Sequence, residues 1–416
     1  MTDVTPSRHV RRRAKRFVAD GAAERPRVAL LTNILPPYRV AFFNELAQRV
    51  DLHVVVNALS TPDRSWSVDP RDVRFPLEVE GGLTRRTRRG GAGGVSEVRF
   101  QHLAQRTVPV LRRLAPDIVV SAELGLRTAQ ALWYCRRRGI PCLLFWEGTA
   151  HTEARISALR HAWRRGLVRG VSGAWVNGIE SRDYLSGLGV PAARIVADMT
   201  GVDMQFFREA AALEQAGRGE RRARLGLRGV VLAVSGSLSP RKGIPQFLAA
   251  LDTLAARAAV PEFSVLFIGD GEQRSAVERW AGAHSRVPVH VTGFKQLHEL
   301  PGYYVCADWC VLPTLEDCWA LATVEPMACG LRQVFSRYNG ASADLIRYSG
   351  AGLLADPLDR EQFASVLEEA VRAPPQPLDA AVIEAVTRRY SSQSLAERAA
   401  RALRATLTPR EAPLAA

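Results

Sequence analysis

Short, almost uninterrupted apolar runs, each followed by a polar loop and a helix-length stretch, constrain this chain most. The first is Val28-Ala29-Leu30-Leu31. A loop, Thr32 to Arg39, follows it. Next comes a helical segment, Val40 to Val50, with Phe42, Phe43 and Leu46 turned inward, and then Leu52 to Val56. Strands that do not alternate apolar with polar are covered on both faces, which is the habit of parallel sheets. Parallel neighbours need a crossover, and that crossover is right-handed. The pattern recurs at Asp117–Ser121, Pro141–Trp146 and Ala174–Asn177. It lapses near 200–228, then restarts at Val230–Ser235, Ser264–Gly269, Val289–Gly293, Trp309–Leu312, Gln333–Phe335 and Leu353–Ala355. The expected fold class is α/β, with two doubly wound, Rossmann-like domains facing across a cleft. The expected division is a basic disordered tail at 1–26, domains at 27–203 and 204–385, and a C-terminal helix and tail at 386–416 that packs back on the first domain. Helices are expected at Gln101–Leu114, Arg127–Arg138, Arg155–Arg169, Arg360–Arg372 and Ser394–Leu407. Residues 60–98 are weakly patterned and rich in Gly and Arg, which predicts a mobile basic loop.

The 416 residues carry a net charge of +14, which suits anionic partners such as nucleotides, phospholipid headgroups or nucleic acid. Lysine is rare: Lys15, Lys242 and Lys295 are the whole set. The six cysteines include no CxxC pair, so core packing is the expectation for them and metal binding is not. Cysteine usage and the lack of a leader-like apolar segment predict a cytoplasmic chain. The Arg-rich start and the Arg155–Arg169 helix leave open a peripheral site on the inner face of an anionic membrane. Nucleic acid is not an expected partner.

In parallel sheets ligands sit beyond the carboxyl ends of the strands. Three loops of the second series lie there. Gly236 to Gly243 offers Arg241 and Lys242 before a helix, which is suited to a diphosphate. Gly293-Phe294-Lys295 offers a surface for a flat base. From Leu312 to Gly330 two acids, Asp317 and Glu325, bracket a mostly apolar stretch and can accept hydrogen bonds from hydroxyls. In the first series the matching loops hold Pro37, Tyr38 and Arg39, and then Glu147 to Glu153. His151 has two readings at this stage: a structural loop histidine, or a group facing a reacting sugar.

GSLSPRKG (Gly236–Gly243), FIGDGEQR (Phe267–Arg274), VTGF (residues 291–294), Glu299–Thr314 and DCWALATVEPMACG (Asp317–Gly330) together resemble the retaining family 4 glycosyltransferases of GT-B fold, also called glycosyl transferases group 1. Thr32–Leu46 and the VNGIES near Asn177 resemble them too. The resemblance implies a nucleoside diphosphate sugar held by the second domain and an acceptor held mostly by the first. It puts Glu325 on ribose hydroxyls, Asp317 near the donor sugar, Lys242 on phosphate, and the backbone of Leu321 and Ala322 on the phosphates. Gly236, Ser237, Gly271 and Phe294 complete the expected donor surface. Pro37, Tyr38, Arg39 and Glu147 make up the acceptor side. Lys242, Arg241, Glu325, Asp317 and His151 are the candidates for catalysis. Neither a metal nor any cofactor is expected, the nucleotide sugar being a co-substrate. The expected acceptor is a sugar or lipid-linked glycan. Asp317 stands where glutamate is usual, and Ser237 where arginine is common. Two other readings stay open: a non-catalytic GT-B scaffold acting as a basic adaptor, and a nucleotide-sugar epimerase.

Overall fold

The computed structural model describes residues 25–61, 67–90, 96–348, 350–373 and 376–408. Most of the basic N-terminal tail expected at 1–26 therefore lies outside the described residues.

The first lobe is a seven-stranded sheet. Its strands are β1 (Arg27–Thr32), β2 (Asp51–Val56), β3 (Leu77–Val79), β6 (Ile118–Ser121), β7 (Cys142–Trp146), β8 (Gly173–Val176) and β9 (Ile195–Val196), in the order β3-β2-β1-β6-β7-β8-β9. All its pairings are parallel; Leu30, for example, faces Val54 on one side and Val120 on the other. β4 (Leu83–Gly90) and β5 (Ser96–Leu103) form a separate antiparallel hairpin. The second lobe is a six-stranded parallel sheet of β10 (Val230–Ser235), β11 (Phe263–Ile268), β12 (Val289–Val291), β13 (Trp309–Leu312), β14 (Arg332–Ser336) and β15 (Gly352–Ala355), in the order β12-β11-β10-β13-β14-β15.

The apolar strands follow from two-sided burial. In the second sheet Val231, Ala233, Leu266, Cys310 and Phe335 pack into a core with Tyr304, Met327 and Tyr390. The alternating Leu232, Val234, Val265, Val311 and Val334 pack with Phe247, Leu251, Phe363 and Leu367 in another core. In the first sheet Val28, Leu30, Val54 and Val120 meet the helix Pro37–Ala47, while Ala29, Leu31 and Val119 meet the helices Thr107–Leu114 and Leu126–Arg138. The last helix, Ser392–Leu407, places Leu395, Ala396, Ala399, Ala400 and Leu403 in the core that holds Phe42, Phe43 and Leu46. The chain thus crosses between lobes twice. The two crossings touch as a parallel bridge of Val202 with Ser391. There the Val202 amide donates to Tyr390 O at 3.2 Å and the Ser392 amide to Val202 O at 3.2 Å. Gly201 is required beside this bridge, because a Cβ would lie 1.9 Å from the Tyr390 carbonyl oxygen.

Several expected elements differ. The segment expected to be a basic loop at 60–98 contains β3 and most of the hairpin; residues 62–66 and 91–95 lie outside the described residues. Arg-rich β4 has no apolar alternation to mark it as a strand. The helix expected from Gln101 starts only at Thr107, since β5 runs to Leu103. The helix expected over Arg155–Arg169 is shorter, Ala158–Val168, opened by the Ser157 hydroxyl accepting from the Arg160 amide at 3.3 Å, and the loop expected at Glu147–Glu153 contains a short helix, Ala150–Glu153. A helix at Ala380–Tyr390 was not anticipated; the Asp379 side chain caps it.

If the last helix completes the first lobe's core, Leu403→Ala destabilises the protein by about 2–5 kcal/mol, the cost of a core cavity. Chemical denaturation followed by circular dichroism measures this; an unchanged midpoint would show that the helix is only appended.

Candidate functional site

The loop after β10 ends in a short 3₁₀ turn, Pro240–Lys242, and Gly243. Gly243 adopts φ +73°, and a Cβ there would lie 1.8 Å from the Pro313 carbonyl oxygen. This close approach joins the basic loop to the loop after β13. The Leu315 amide donates to Arg241 O at 2.9 Å, and the Thr314 hydroxyl to the same oxygen at 3.3 Å. Side chains complete the junction. Lys242 Nζ sits 2.5 Å from Asp317 Oδ2, Arg241 Nη1 lies 3.7 Å from that oxygen, and Arg241 Nη1 donates to Glu316 O at 2.8 Å. Burial alone would raise the Asp317 carboxyl, but Lys242 and Arg241 outweigh it and hold the group below the usual carboxylate range.

Glu325 lies one element further on. Leu321–Thr323 is a 3₁₀ turn and Val324–Ala328 a short helix, so Pro326 sits in a first turn, where its missing N–H costs little. The Glu325 carboxylate is buried and accepts from the Tyr304 hydroxyl at 3.0 Å; that hydroxyl also meets Ser235 Oγ at 2.8 Å. Burial pushes Glu325 up to about 7, against the opposing pull of the Tyr304 hydrogen bond and the Lys242 charge. Asn339 holds the loop between the two acids. Its Oδ1 accepts from the amides of Ala320 at 3.1 Å and Ala341 at 3.2 Å, and its Nδ2 donates to Thr323 Oγ1 at 3.2 Å.

The first lobe closes on this loop. Thr149 caps the helix Ala150–Glu153 in a reciprocal box with Thr152, which presents His151 to the second lobe. His151 Nε2–H donates to Leu315 O at 2.8 Å, and its ring stacks on Tyr338 at 5.1 Å. Nearby, buried Asp344 accepts from the Ile179 amide at 3.3 Å and from Trp319 Nε1 at 3.0 Å. Glycine is needed on both sides of this seam. A Cβ on Gly178 would lie 1.9 Å from Asp344 Oδ2, and one on Gly340 would lie 2.0 Å from Cys318 O. A cavity of about 550 Å³ opens beside the seam, lined by Glu180, Arg337, Ile346, Leu354, Asp356 and Gln362 among others.

Of the residues singled out by sequence, the structure brings Arg241, Lys242 and Asp317 into direct contact, with Glu325 close enough to feel Lys242. His151 reaches the same loop from the other lobe. Gly236, Leu321 and Ala322 are half-buried, whereas Ser237, Gly271 and Phe294 are exposed. On the first lobe Pro37 opens a helix and Tyr38 is half-buried beside it. Arg39 is buried, ion-paired with Glu147 and stacked 4.5 Å from the Phe145 ring centre, so its guanidinium is committed to the fold. Sequence reasoning missed Tyr304, Ser235, Tyr338 and the fastening role of Asn339. Only the Asn339-Gly340 turn left a mark.

Residues 229–372 match the family model described as glycosyl transferases group 1. No curated protein matches the chain. Among solved structures it is similar to HepE of Anabaena, solved in complex with UDP, with a TM-score of 0.68 and 14% identity over 91% of this chain and 100% of that one. It is similar to sucrose-phosphate synthase of Thermosynechococcus elongatus, with a TM-score of 0.63 and 16% identity over 91% and 98% of the two chains. A glycosyltransferase from Rickettsia africae gives a TM-score of 0.66 and 11% identity over 92% and 99%. At these identities the likeness establishes a shared two-lobed fold.

The elevated Glu325 carboxyl predicts a pH dependence of stability. Its folded value lies above the unfolded one, so between about pH 4.5 and 7 the native state holds the extra proton and stability falls as pH rises, by about 3 kcal/mol in all. Glu325→Gln should flatten that slope relative to the parent in denaturation at several pH values. Parallel profiles would show that the carboxyl titrates normally.

Proposed function

We propose that the chain, whose residues 229–372 match the glycosyl transferases group 1 model and whose two-lobed fold is that of HepE, is a glycosyltransferase of GT-B type that moves a sugar from a nucleoside diphosphate donor to an acceptor hydroxyl with retention of anomeric configuration. We place that step in the assembly of a surface polysaccharide or lipid-linked glycan. The observation that carries the reading is the Arg241–Lys242–Asp317 cluster beside Glu325, at the carboxyl end of the second sheet.

Each group has a task. The leaving diphosphate gathers negative charge as the bond from its oxygen to the sugar anomeric carbon breaks. Arg241 and Lys242 meet that charge, aided by the amides that open the helix Ile244–Ala256, which no side chain caps. In this reading no metal or cofactor carries that charge. Lys242 rests on Asp317. An arriving diphosphate competes for Lys242, and the freed Asp317 oxygen turns to the donor sugar's hydroxyls. Aspartate suits this exchange, because a side chain one methylene shorter stays within the cations' reach. Glu325 takes the ribose hydroxyls, Phe294 offers a face to the base, and the backbone of Leu321 and Ala322 lies along the phosphates.

The acceptor oxygen attacks the anomeric carbon from the face the diphosphate leaves, and its proton passes to the departing phosphate oxygen. Atoms and charge then balance without a separate strong base. His151 and Glu147 position the acceptor across the seam. HepE was solved with UDP and with UDP-glucose, which makes UDP-sugars the first donors to try. Closing the lobes keeps water from the donor.

With the donor chosen from a panel of UDP-, GDP-, ADP- and CDP-sugars, Lys242→Ala should lower kcat/KM by about 10²–10³-fold at a temperature where circular dichroism shows the variant folded. Parental turnover in that variant would remove Lys242 from the reaction. Nuclear magnetic resonance of the product's anomeric proton tests retention.

A further inference from the structure

The helix Ala158–Val168 is held by little of its surface. Only Arg164, Leu167 and Val168 are buried, while residues 157–163 are all exposed. Its inner side is anchored. Arg164 Nη1 bonds Glu153 at 2.7 Å and the Tyr184 hydroxyl at 2.9 Å, and the guanidinium lies 4.8 Å from the Trp146 ring centre. Its outer side carries Leu159, Ala162, Trp163 and Gly166, spaced i, i+3, i+4 and i+7, so they form one stripe. Leu159 is 82% exposed and Trp163 45%. On the helical wheel Arg160 borders the stripe on one side, and Arg165 and Arg169 border it on the other; all three are exposed. Between Glu153 and Glu180 the sequence holds five arginines and no acid. The neighbouring helix, Leu126–Arg138, meets this segment where Leu132 packs beside Gly170. It adds Trp133, 42% exposed, under the Arg137 guanidinium, and a basic last turn of Arg136, Arg137 and Arg138.

We propose that this face is a docking surface for an anionic lipid bilayer, with Leu159 and Trp163 entering the headgroup–acyl boundary and the bordering arginines pairing with lipid phosphates. An apolar stripe with tryptophan, flanked by arginine and free of acids, is the pattern of a helix lying in the plane of a membrane interface. A nucleic acid would use the arginines but leave Leu159 in water. The helix begins five residues after Glu153, the end of the element that presents His151, so docking would set the cleft at the membrane surface. The surface is separate from the transfer site, and its test needs no turnover.

The full-length protein is sedimented with vesicles of phosphatidylcholine alone or containing about 30% phosphatidylglycerol, without nucleotide or sugar. It should pellet with the anionic vesicles, not the neutral ones, and less at high salt. Leu159→Ser/Trp163→Ser, and separately Arg160→Glu/Arg165→Glu, should each weaken binding at least about ten-fold while keeping the thermal midpoint. Parental protein left in the supernatant would overturn the proposal. So would a Leu159→Ser/Trp163→Ser variant that pellets like the parent, because binding would then be electrostatic or lie elsewhere on the chain.

Discussion

The Asp317 carboxylate between Lys242 and Arg241 is the contact on which the candidate site depends. It spans 75 residues of sequence and joins two loops that start from neighbouring strands, β10 and β13. A partly buried carboxylate among cations is stable only while both signs are present; deleting one partner leaves the other uncompensated, at a cost of about 3–5 kcal/mol for a fully buried pair. Backbone geometry protects the arrangement, since the approach of Gly243 to Pro313 leaves no room for a side chain. The Asp317 amide and carbonyl are used too, bonding Tyr338 O at 3.3 Å and the Gly340 amide at 3.1 Å. In the proposed function, a diphosphate takes the place of the Asp317 carboxylate on these cations.

The seam between lobes is of another kind. His151 with Leu315, Asp344 with Ile179, and Cys318 Sγ with Thr152 Oγ1 at 3.8 Å are polar contacts between elements with separate cores. Two lobes joined this way can part without exposing much apolar surface. Burial raises the Asp344 carboxyl while the Trp319 hydrogen bond pulls the other way, so the seam balances desolvation against pairing. Gly178 lets the Asp344 carboxylate come close to the backbone there, and Gly340 lets the Cys318 carbonyl do so.

What could be read from the sequence followed physical necessity. Doubly covered strands such as Val28–Leu31 and Val230–Val234 must be apolar throughout, and that alone indicates parallel sheets. Arg241, Lys242, Asp317 and Glu325 stood out because cations and acids at the carboxyl ends of parallel strands suit a diphosphate and hydroxyls, and because their order resembles a known family. The hairpin of β4 and β5 was hidden, since an exposed two-stranded ribbon needs no apolar face and Arg85 and Arg86 read as loop. Tyr304 was hidden for the opposite reason. Within an apolar run it looks like core, and only the fold aims its hydroxyl at Glu325. Arg39 was legible as a residue of the right loop, but not that Glu147 and Phe145 would occupy its guanidinium.

The last helix, Ser392–Leu407, lies in the same core as Phe42 and Phe43. The second sheet is contiguous in sequence, whereas the first waits for a piece encoded after the last strand of the second. During synthesis the earlier-made sheet leaves the ribosome with one side uncovered, and the later-made sheet can settle before it. The first lobe is completed only after the whole second sheet has been made, so a truncation before Ser392 would damage the part of the protein made first.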